Sequence, residues 1–563
     1  MISWSAQVGA VLESLSTTTG HEVAIAATGL LVDGLELALP TLSGERAALF
    51  GIAGRLPTVP RGDDRDKLLW RALAEARPEA DPTPDRWKPP PLDRTLSAGL
   101  PADLPFGDAG ARETIAEAMQ ERFFNSKPVA KVLLPLHGSL PQNYTHSTTT
   151  GQPARYRLFS GEILPFLLYD HASGSVDAHL LERLVDLFNS EQDLTALDGL
   201  FLDIARGHAR DPVDLPSAEH LRDRWEGRVR DDMTAAGGPF CAPSLHLFQQ
   251  DLATVLDTKL PRPDKVQWLT LLLSLHLGVR LYRLAEVLGS ELDSAVAVAA
   301  GVEPPPGSGG CACTPGAGLG ALQGCPLAGS IRFRTGTGRY RPVARRDGCW
   351  SSYLELDQRR LLALPATLVT SNLALLAWSA LGGPARAQAS LGGLTAALRD
   401  DPALRSRHAA ACAAIAVLHH ATHRPAAPLG ELKEASGLTT GRAGLLALRE
   451  DVLRLRRSDL RHQSRDVVNQ LLLDASAGGG GSLISRNGSH TFFEVDERLL
   501  LLLVRVVCVD DQLPFDRFLD RLSAYGLAPQ DATETAALAD ALERLGLLVR
   551  FSDAGEASFV HYA

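Results

Sequence analysis

The sequence contains none of the short motifs by which common nucleotide-dependent and metal-dependent enzymes are recognised. There is no GxxxxGKS/T phosphate loop, no GxGxxG that opens a helix after a strand, no HExxH zinc motif and no GxSxG nucleophile turn. These absences remove the common nucleotide-dependent enzymes from consideration. Absence of motifs does not exclude other enzymes, so a catalytic role stays open beside the favoured non-enzymatic one.

Lysine is scarce, and the overall charge is acidic. Only 7 of the 56 basic residues are lysine and 49 are arginine, while 66 acidic residues give a formal net charge of −10. A protein of this charge has no global field that attracts nucleic acid, so any such contact must come from local basic patches. Because alanine, leucine and glycine are also abundant, we attribute the arginine excess mainly to codon bias.

Long apolar runs and an export signal are also missing. The most apolar run, Leu499 to Val509, is interrupted by Arg505 and is too short to span a bilayer. The N-terminus has no basic region followed by an apolar stretch, so we expect no signal peptide. Seven cysteines are an odd number in a large chain, which favours a reducing compartment. We therefore expect a cytoplasmic protein without membrane contact.

A chain of 563 residues with 45% apolar residues has material for several cores. Apolar residues at three- and four-residue spacing predict helices over 180–190, 266–288 and 357–381, whereas strand-like runs are short. We therefore predict a mostly α, multidomain protein with small β elements. The predicted divisions are an N-terminal α/β segment (1–76), a proline-rich linker (77–108), a mainly helical domain with short strands (109–300), a Gly/Pro-rich loop with cysteines and arginines (301–350), a second helical domain (351–474), a glycine linker (475–482) and a C-terminal domain (483–563).

The C-terminal region has the pattern of three helices followed by a β-hairpin. Its cap and turn residues predict a helix from Glu497 capped by Asp496, a second over Pro514 to Tyr525 ended by Gly526, a third opened by Asp531 and Glu534 and closed by Gly546, and a hairpin turning at Gly555. This order of elements resembles the winged-helix superfamily over roughly the last 70 residues. The resemblance implies a module that is often used to bind DNA.

The charge of this region argues against DNA as its partner. From Asp510 to the end there are ten acidic and four basic residues, hence a net charge of −6. The third helix offers Glu534, Asp540 and Glu543, with Arg544 as its one basic residue. Because phosphate contacts need cationic donors, we expect this domain to dock on a partner protein instead.

Residues 428–457 predict a helix, a turn and a second helix, with Leu429, Leu432 and Ala435 facing the core. A DNA-binding helix-turn-helix would place some of its polar residues near a groove and others near phosphates. The residues predicted for these contacts are Thr439, Thr440 and Arg442 near the groove, and Arg454, Arg456 and Arg457 near phosphates. The alternative is two packed helices of a bundle with a solvated arginine face.

The densest positive stretch, 331–346, holds six arginines and no acid. Alternation around the TGTG sequence predicts a basic hairpin over 331–342, with Arg332 and Arg334 on one face of its first strand and Phe333 on the other. Arginine side chains on such a hairpin suit phosphate or single-stranded nucleic acid. The residues predicted to bind nucleic acid here are Arg332, Arg334, Arg339, Arg341, Arg345 and Arg346.

Cysteines flank this hairpin. Cys311, Cys313 and Cys325 precede it and Cys349 follows it, and four thiolates can close a structural zinc site. Recognised zinc modules usually have two CxxC pairs, which this spacing lacks. Zinc is nevertheless the one candidate cofactor. The alternative is a loop with reduced thiols.

A second group of potential metal ligands lies on one predicted helix. His408, Cys412, His419 and His423 fall on the same side of a helical wheel. The helical rise separates His408 from His423 by about 22 Å, so one ion cannot bind all four. The pair His419/His423 or the pair His408/Cys412 can each supply half a metal site. The alternative is an alanine-rich helix with semi-buried histidines.

Three functions are compatible with these features. The first is a non-enzymatic accessory or scaffold subunit of a nucleic-acid-handling complex, such as a bacterial defence, DNA-modification or chromosome-maintenance system. It would contact DNA or RNA through the arginine patches and a partner protein through the acidic winged helix. The second is a metal-dependent enzyme that uses the cysteine or histidine cluster, and the third is a purely protein-binding helical scaffold. We favour the first, because it explains local positive patches within an acidic protein.

Overall fold

The structure is a computed structural model. It describes residues 6–20, 167–170, 173–192, 241–304, 320–335, 358–384, 389–424, 426–437, 444–455, 483–487, 490–509, 512–551 and 557–562, with isolated positions at 194, 199, 439, 441, 442 and between 218 and 230. The linkers predicted at 77–108 and 475–482 lie outside these ranges.

The described residues form mainly helices. The helices are α1 (Ala6–Thr19), α2 (Ala178–Asn189), α3 (Ala242–Leu256), α4 (Arg262–Ala299), α5 (Gly320–Gln323), α6 (Gln358–Ala380), α7 (Leu391–Asp400), α8 (Pro402–His423), α9 (Leu429–Ala435), α10 (Gly444–Leu455), α11 (Glu497–Cys508), α12 (Phe515–Ala524) and α13 (Ala532–Arg544). The strands are β1 (Tyr169–Asp170), β2 (Ser175–Val176), β3 (Ile331–Thr335), β4 (Ile484–Asn487), β5 (His490–Val495), β6 (Leu513–Pro514), β7 (Leu527–Pro529), β8 (Leu548–Phe551) and β9 (Ala557–Val560). The predicted class, mostly α with small β elements, is confirmed.

The longest of these helices, α4, connects two hydrophobic cores. It has 38 residues, which corresponds to about 57 Å at the α-helical rise. Apolar residues from Leu269 to Ala285 lie in the first core, and those from Leu292 to Ala299 lie in the second. Leu288 is half-buried and packs against both. One continuous helix therefore contributes to both cores.

The second core is a helical bundle. Helices α6, α7, α8 and α10 pack against α4, and α1 and α9 join the same core through α8. Helices α8 and α10 approach very closely. A Cβ atom at Gly444 would overlap the carbonyl oxygen of Ala409. Glycine at this position allows the two backbones to touch.

The first core combines helices with a four-stranded sheet of order β4-β5-β3-β7. Strand β3 is parallel to both neighbours, with Phe333 opposite Phe493 on one side and Ile331 opposite Leu527 on the other. Both edges of β3 are therefore occupied by distant parts of the chain. The second strand of the hairpin predicted over 331–342 lies outside the described residues, and within them β3 pairs with β5 and β7.

The C-terminal elements agree with the helix boundaries that the sequence predicts. The Asp496 carboxylate accepts a hydrogen bond of 2.8 Å from the Leu499 amide at the start of α11, and Asp531 accepts one of 3.0 Å from Glu534 at the start of α13. Gly546, with φ at +71°, follows α13. Strands β6, β9 and β8 form a second, antiparallel sheet in that order. These elements share the first core with α3 and α4.

Candidate functional site

The basic strand β3 does not present its arginines as one surface. Arg332 is exposed, and its Nη1 lies 3.4 Å from the Pro529 carbonyl oxygen. Arg334 is only 8% exposed, and its Nε donates a hydrogen bond of 3.0 Å to Gln530 Oε1. Arg334 is therefore a structural residue between β3 and the segment after β7, contrary to the predicted role. The other predicted arginines of this stretch, Arg339, Arg341, Arg345 and Arg346, lie outside the described residues.

The predicted helix-turn-helix consists of α9, a turn and α10, and its described arginines are paired with acids. Arg442 forms an ion pair with Glu450, and Arg454 lies 3.2 Å from Glu434 and 3.1 Å from Asp451. Helix α10 packs against α8 and α6 on its apolar side. This arrangement matches the alternative of two packed bundle helices. Contrary to expectation, Leu429 is exposed rather than in the core.

Four further residues of this segment are predicted contacts. Thr439 is exposed in the turn. The remaining predicted contacts, Thr440, Arg456 and Arg457, lie outside the described residues.

The predicted zinc site is described at one position only. Cys325 is half-buried after the short helix α5. The other three cysteines, Cys311, Cys313 and Cys349, lie outside the described residues, so zinc at this loop stays a prediction.

The histidine row on α8 is held by hydrogen bonds within the bundle. His408 is buried with its Nε2 3.0 Å from the Ala374 carbonyl oxygen, and Cys412 Sγ lies 3.7 Å from His408 Nδ1. His419 Nδ1 lies 3.0 Å from Asp451 Oδ2, and His420 Nδ1 lies 2.8 Å from Asp451 Oδ1. Within the described part of the chain, no group of three or more histidine, cysteine or acidic residues is arranged to hold a metal ion. The side chain of His423 is outside that part.

The aspartate that joins these histidines is on α10 and is itself buried. Burial is the largest influence on the pKa of Asp451 and raises it. The hydrogen bonds and charges of His419 and His420 outweigh burial, so the pKa of Asp451 is lowered overall. The sequence pattern missed Asp451, because it lies about thirty residues away on a different helix.

A second buried polar cluster joins the C-terminal elements to α3 and α4. Asp251 on α3 accepts a hydrogen bond of 2.8 Å from the Tyr525 hydroxyl, and its other carboxylate oxygen lies 2.8 Å from His276 Nε2. Arg283 Nη2 donates a hydrogen bond of 2.7 Å to the Ala524 carbonyl oxygen. Burial raises the pKa of Asp251 above its ordinary value, and the opposing influences of His276 and Tyr525 do not cancel that effect. The four side chains of this cluster, those of Asp251, His276, Arg283 and Tyr525, are all buried.

The surface of α13 and the neighbouring hairpin is acidic and internally paired. Asp540 and Glu543 are exposed on α13, and Arg550 of β8 lies 3.5 Å from Asp540 and 3.0 Å from Glu543. Two carboxylates thus face one guanidinium. A phosphate backbone approaching α13 would meet this negative surface.

The outer face of the sheet β6-β9-β8 is apolar. Pro514, Phe559 and Val549 stand directly opposite one another across the three strands. Phe551 contacts Phe559 in an edge-to-face arrangement with ring centroids 5.6 Å apart. Val549 is 38% exposed and Phe551 is 47% exposed. Contiguous exposed apolar side chains are typical of a protein-binding surface.

The sequence contained a signal for this surface. In the run LLVRF, apolar residues occupy both parities of the strand, at Leu548 and at Val549 and Phe551. A strand with one buried face needs apolar residues on that face only. Apolar residues on the other face therefore indicate a further contact.

Comparison with protein-family models and with curated proteins finds no match to this chain. No described helix combines the length and the apolar character that crossing a membrane requires.

Proposed function

We propose that this chain is a non-enzymatic scaffold subunit that binds a partner protein through its C-terminal elements, residues 483–563. The observation that carries the proposal is the exposed apolar face formed by Pro514, Val549, Phe551 and Phe559 beside the acidic residues of α13. A winged-helix-like module with these properties suits protein docking better than DNA docking, because Arg544 is the one basic residue of its third helix.

Buried hydrogen bonds between this module and the body support a scaffold role. The side chains of Asp251, His276, Tyr525 and Arg283 fix α12 against α3 and α4. A partner held by the module would therefore keep a defined position relative to the helical bundle.

The wider proposal is that the chain belongs to a nucleic-acid-handling complex. Among the described residues, Arg332 is the predicted β3 contact that is exposed, since Arg334 is buried. Arg442 and Arg454 are engaged by acids. The predicted contacts that remain are Arg332 and the arginines outside the described residues. Of these, we expect Arg332, Arg339 and Arg341 to contribute more than any residue after Asp510.

Quantitative affinity purification from the native host tests the docking proposal. The composite variant Asp540→Ser, Glu543→Ser, Val549→Ser and Phe551→Ser is compared with wild type. A matched control changes residues of the same kinds at other exposed positions, Val302, Leu453, Glu303 and Asp400, to serine. We expect one or more stoichiometric partners to be lost from the composite variant and retained by the control. Equal recovery from all three proteins would refute the docking proposal.

Binding of labelled single- and double-stranded DNA across a salt series tests the nucleic-acid part separately. The triple variant Arg332→Ala, Arg339→Ala and Arg341→Ala leaves the buried Arg334 intact. Loss of a salt-sensitive binding phase in this variant, with normal binding by the composite variant, would support nucleic-acid contact through this stretch. Absence of binding by wild type at low salt would leave a purely protein-binding scaffold.

A further inference from the structure

Strand β8 forms one edge of its sheet. The strand order is β6-β9-β8, and no strand in the described ranges pairs with the outer edge of β8. An edge strand offers unpaired backbone groups to any extended segment that approaches it.

The ladder with β9 determines which backbone groups face outward. The His561 amide donates a hydrogen bond of 3.0 Å to the Leu547 carbonyl, and Val549 lies opposite Phe559 two residues further along. Bonded and non-bonded pairs alternate in an antiparallel ladder. Val549 and Phe551 therefore direct their backbone groups toward β9, and Leu548 and Arg550 direct theirs to the free edge.

The two faces next to this edge differ in chemistry. On the outer face, Val549 and Phe551 are exposed and adjoin Phe559. On the inner face, Arg550 lies between Asp540 and Glu543, which leaves one negative charge in excess. A strand added at this edge would place alternate side chains against an apolar surface and against an acidic one.

We infer that β8 receives an extended segment of a partner protein as a fourth strand, and that this segment alternates apolar with basic residues. Backbone hydrogen bonds to Leu548 and Arg550 would fix its position, while the alternating side chains would provide selectivity. This inference rests on the proposed docking function and names the chemistry of the partner.

Charge favours a basic segment over a second copy of this chain. The sequence between β8 and β9, residues 552–556, contains Asp553 and Glu556 and no base, and residues from Asp510 onward carry a net charge of −6. Two copies of this acidic surface would repel each other. A segment that contains lysine or arginine would be attracted to it.

Fluorescence anisotropy with a short labelled peptide of alternating valine and lysine tests the inference on the full-length chain at low salt. Three control peptides separate the contributions: one with glutamate for lysine, one with serine for valine, and one N-methylated along its bonding edge. We expect the parent peptide to bind and each control peptide to bind at least about tenfold more weakly.

Two variants and one control locate the site. Phe551→Ser removes the outer-face contact, and the double change Asp540→Asn with Glu543→Gln removes the inner-face charge. Each should weaken binding of the parent peptide by about tenfold or more, whereas Val302→Ser, at a position that is 61% exposed, should not change it. Thermal unfolding curves identify any variant that is misfolded, and the peptide controls on wild type then decide the question.

Two results would overturn strand addition. One is binding of the N-methylated peptide as strong as that of the parent, and the other is parent binding that survives both surface variants. If the composite variant nevertheless loses its cellular partner, the docking function stands and only the strand mode is wrong. If partner recovery is also unaffected, both proposals fail. A third result would also contradict the inference: the wild type sediments as a dimer, and the Phe551→Ser variant sediments as a monomer. The edge of β8 would then bind a second copy of this chain and not a basic segment of a partner.

Discussion

The hydroxyl of Tyr525 donates a hydrogen bond of 2.8 Å to Asp251 Oδ1, across 274 positions of sequence. Both residues are buried, and His276 occupies the other carboxylate oxygen at 2.8 Å. The contact links the end of α12 to the middle of α3 and thereby positions the proposed docking module. Because a buried carboxylate without its donors is costly, this link has measurable consequences.

Replacing Tyr525 with phenylalanine should lower the free energy of unfolding by about 1–3 kcal/mol, because the variant leaves one oxygen of Asp251 without its donor. Urea unfolding monitored by circular dichroism measures the change. Tyr562→Phe is the matched control, since that ring is half-exposed and keeps its contacts with Trp268 and Arg505 without the hydroxyl. Equal stability of Tyr525→Phe and wild type would show that the hydrogen bond makes no net contribution.

Replacing Asp251 with asparagine should change how stability depends on pH. Burial raises the pKa of Asp251, so the folded protein holds this proton more tightly than the unfolded chain does. The contribution of Asp251 to stability is therefore greatest below the ordinary pKa of 3.8 and is lost as pH rises through the folded pKa. Asparagine carries no proton to lose, so the variant should gain stability relative to wild type over this interval.

Unfolding free energies of both proteins at a series of pH values from acid to neutral measure that difference. Asp400→Asn, at an exposed position on α7, serves as the control and should parallel the wild type. A constant difference between Asp251→Asn and wild type at every pH would contradict the raised pKa.

Local sequence signals predicted the class of this fold and the ends of several helices. They did not predict which distant strands pair. The cap of α11 by Asp496 and the end of α13 at Gly546 follow from residues within one helical turn. The neighbours of β3 do not, because Phe333 pairs with Phe493 and Ile331 with Leu527 far along the chain. A short strand carries no local information about which distant strand it joins.

The same limit affected the candidate site. Alternation correctly distinguished Phe333 from Arg332, but it also placed Arg334 at the surface. Arg334 is buried and hydrogen-bonded to Gln530, a distant residue that the pattern of residues 331–346 cannot reveal. In the sequence, the apolar face around Phe551 was visible only as an excess of apolar residues in one strand. Which face of β8 is exposed to solvent depends on where α13 packs.

Replacing His408 with glutamine should protect the helical bundle against acid. Burial lowers the pKa of His408 below its ordinary 6.5, and the hydrogen bond to Ala374 only partly opposes this. As pH falls below 6.5 the unfolded chain gains a proton that the folded protein does not, so the wild type loses about 1.4 kcal/mol for each pH unit until the folded pKa is reached. Glutamine can donate to the same carbonyl and does not titrate.

Chemical unfolding at several pH values between neutral and mildly acidic compares the two proteins. His179→Gln, at an exposed position of α2, is the control and should follow the wild type. Wild type and His408→Gln with parallel pH profiles would show that His408 does not contribute to acid sensitivity.

Replacing Gly444 with alanine should separate α8 from α10. The added Cβ would overlap the carbonyl oxygen of Ala409, and backbone cannot move aside as a flexible side chain could. We expect destabilisation of about 1–3 kcal/mol, as is usual when extra volume is forced into a packed interior. Gly9→Ala in α1 is the matched control, because its Cβ would meet nothing within 4 Å and alanine is the better helix former. Thermal unfolding should therefore shift to lower temperature for Gly444→Ala and to the same or higher temperature for Gly9→Ala.

If both alanine variants were stabilised alike, the close approach of the two helices would be wrong. The packing of Asp451 against His419 and His420 would then need a different explanation.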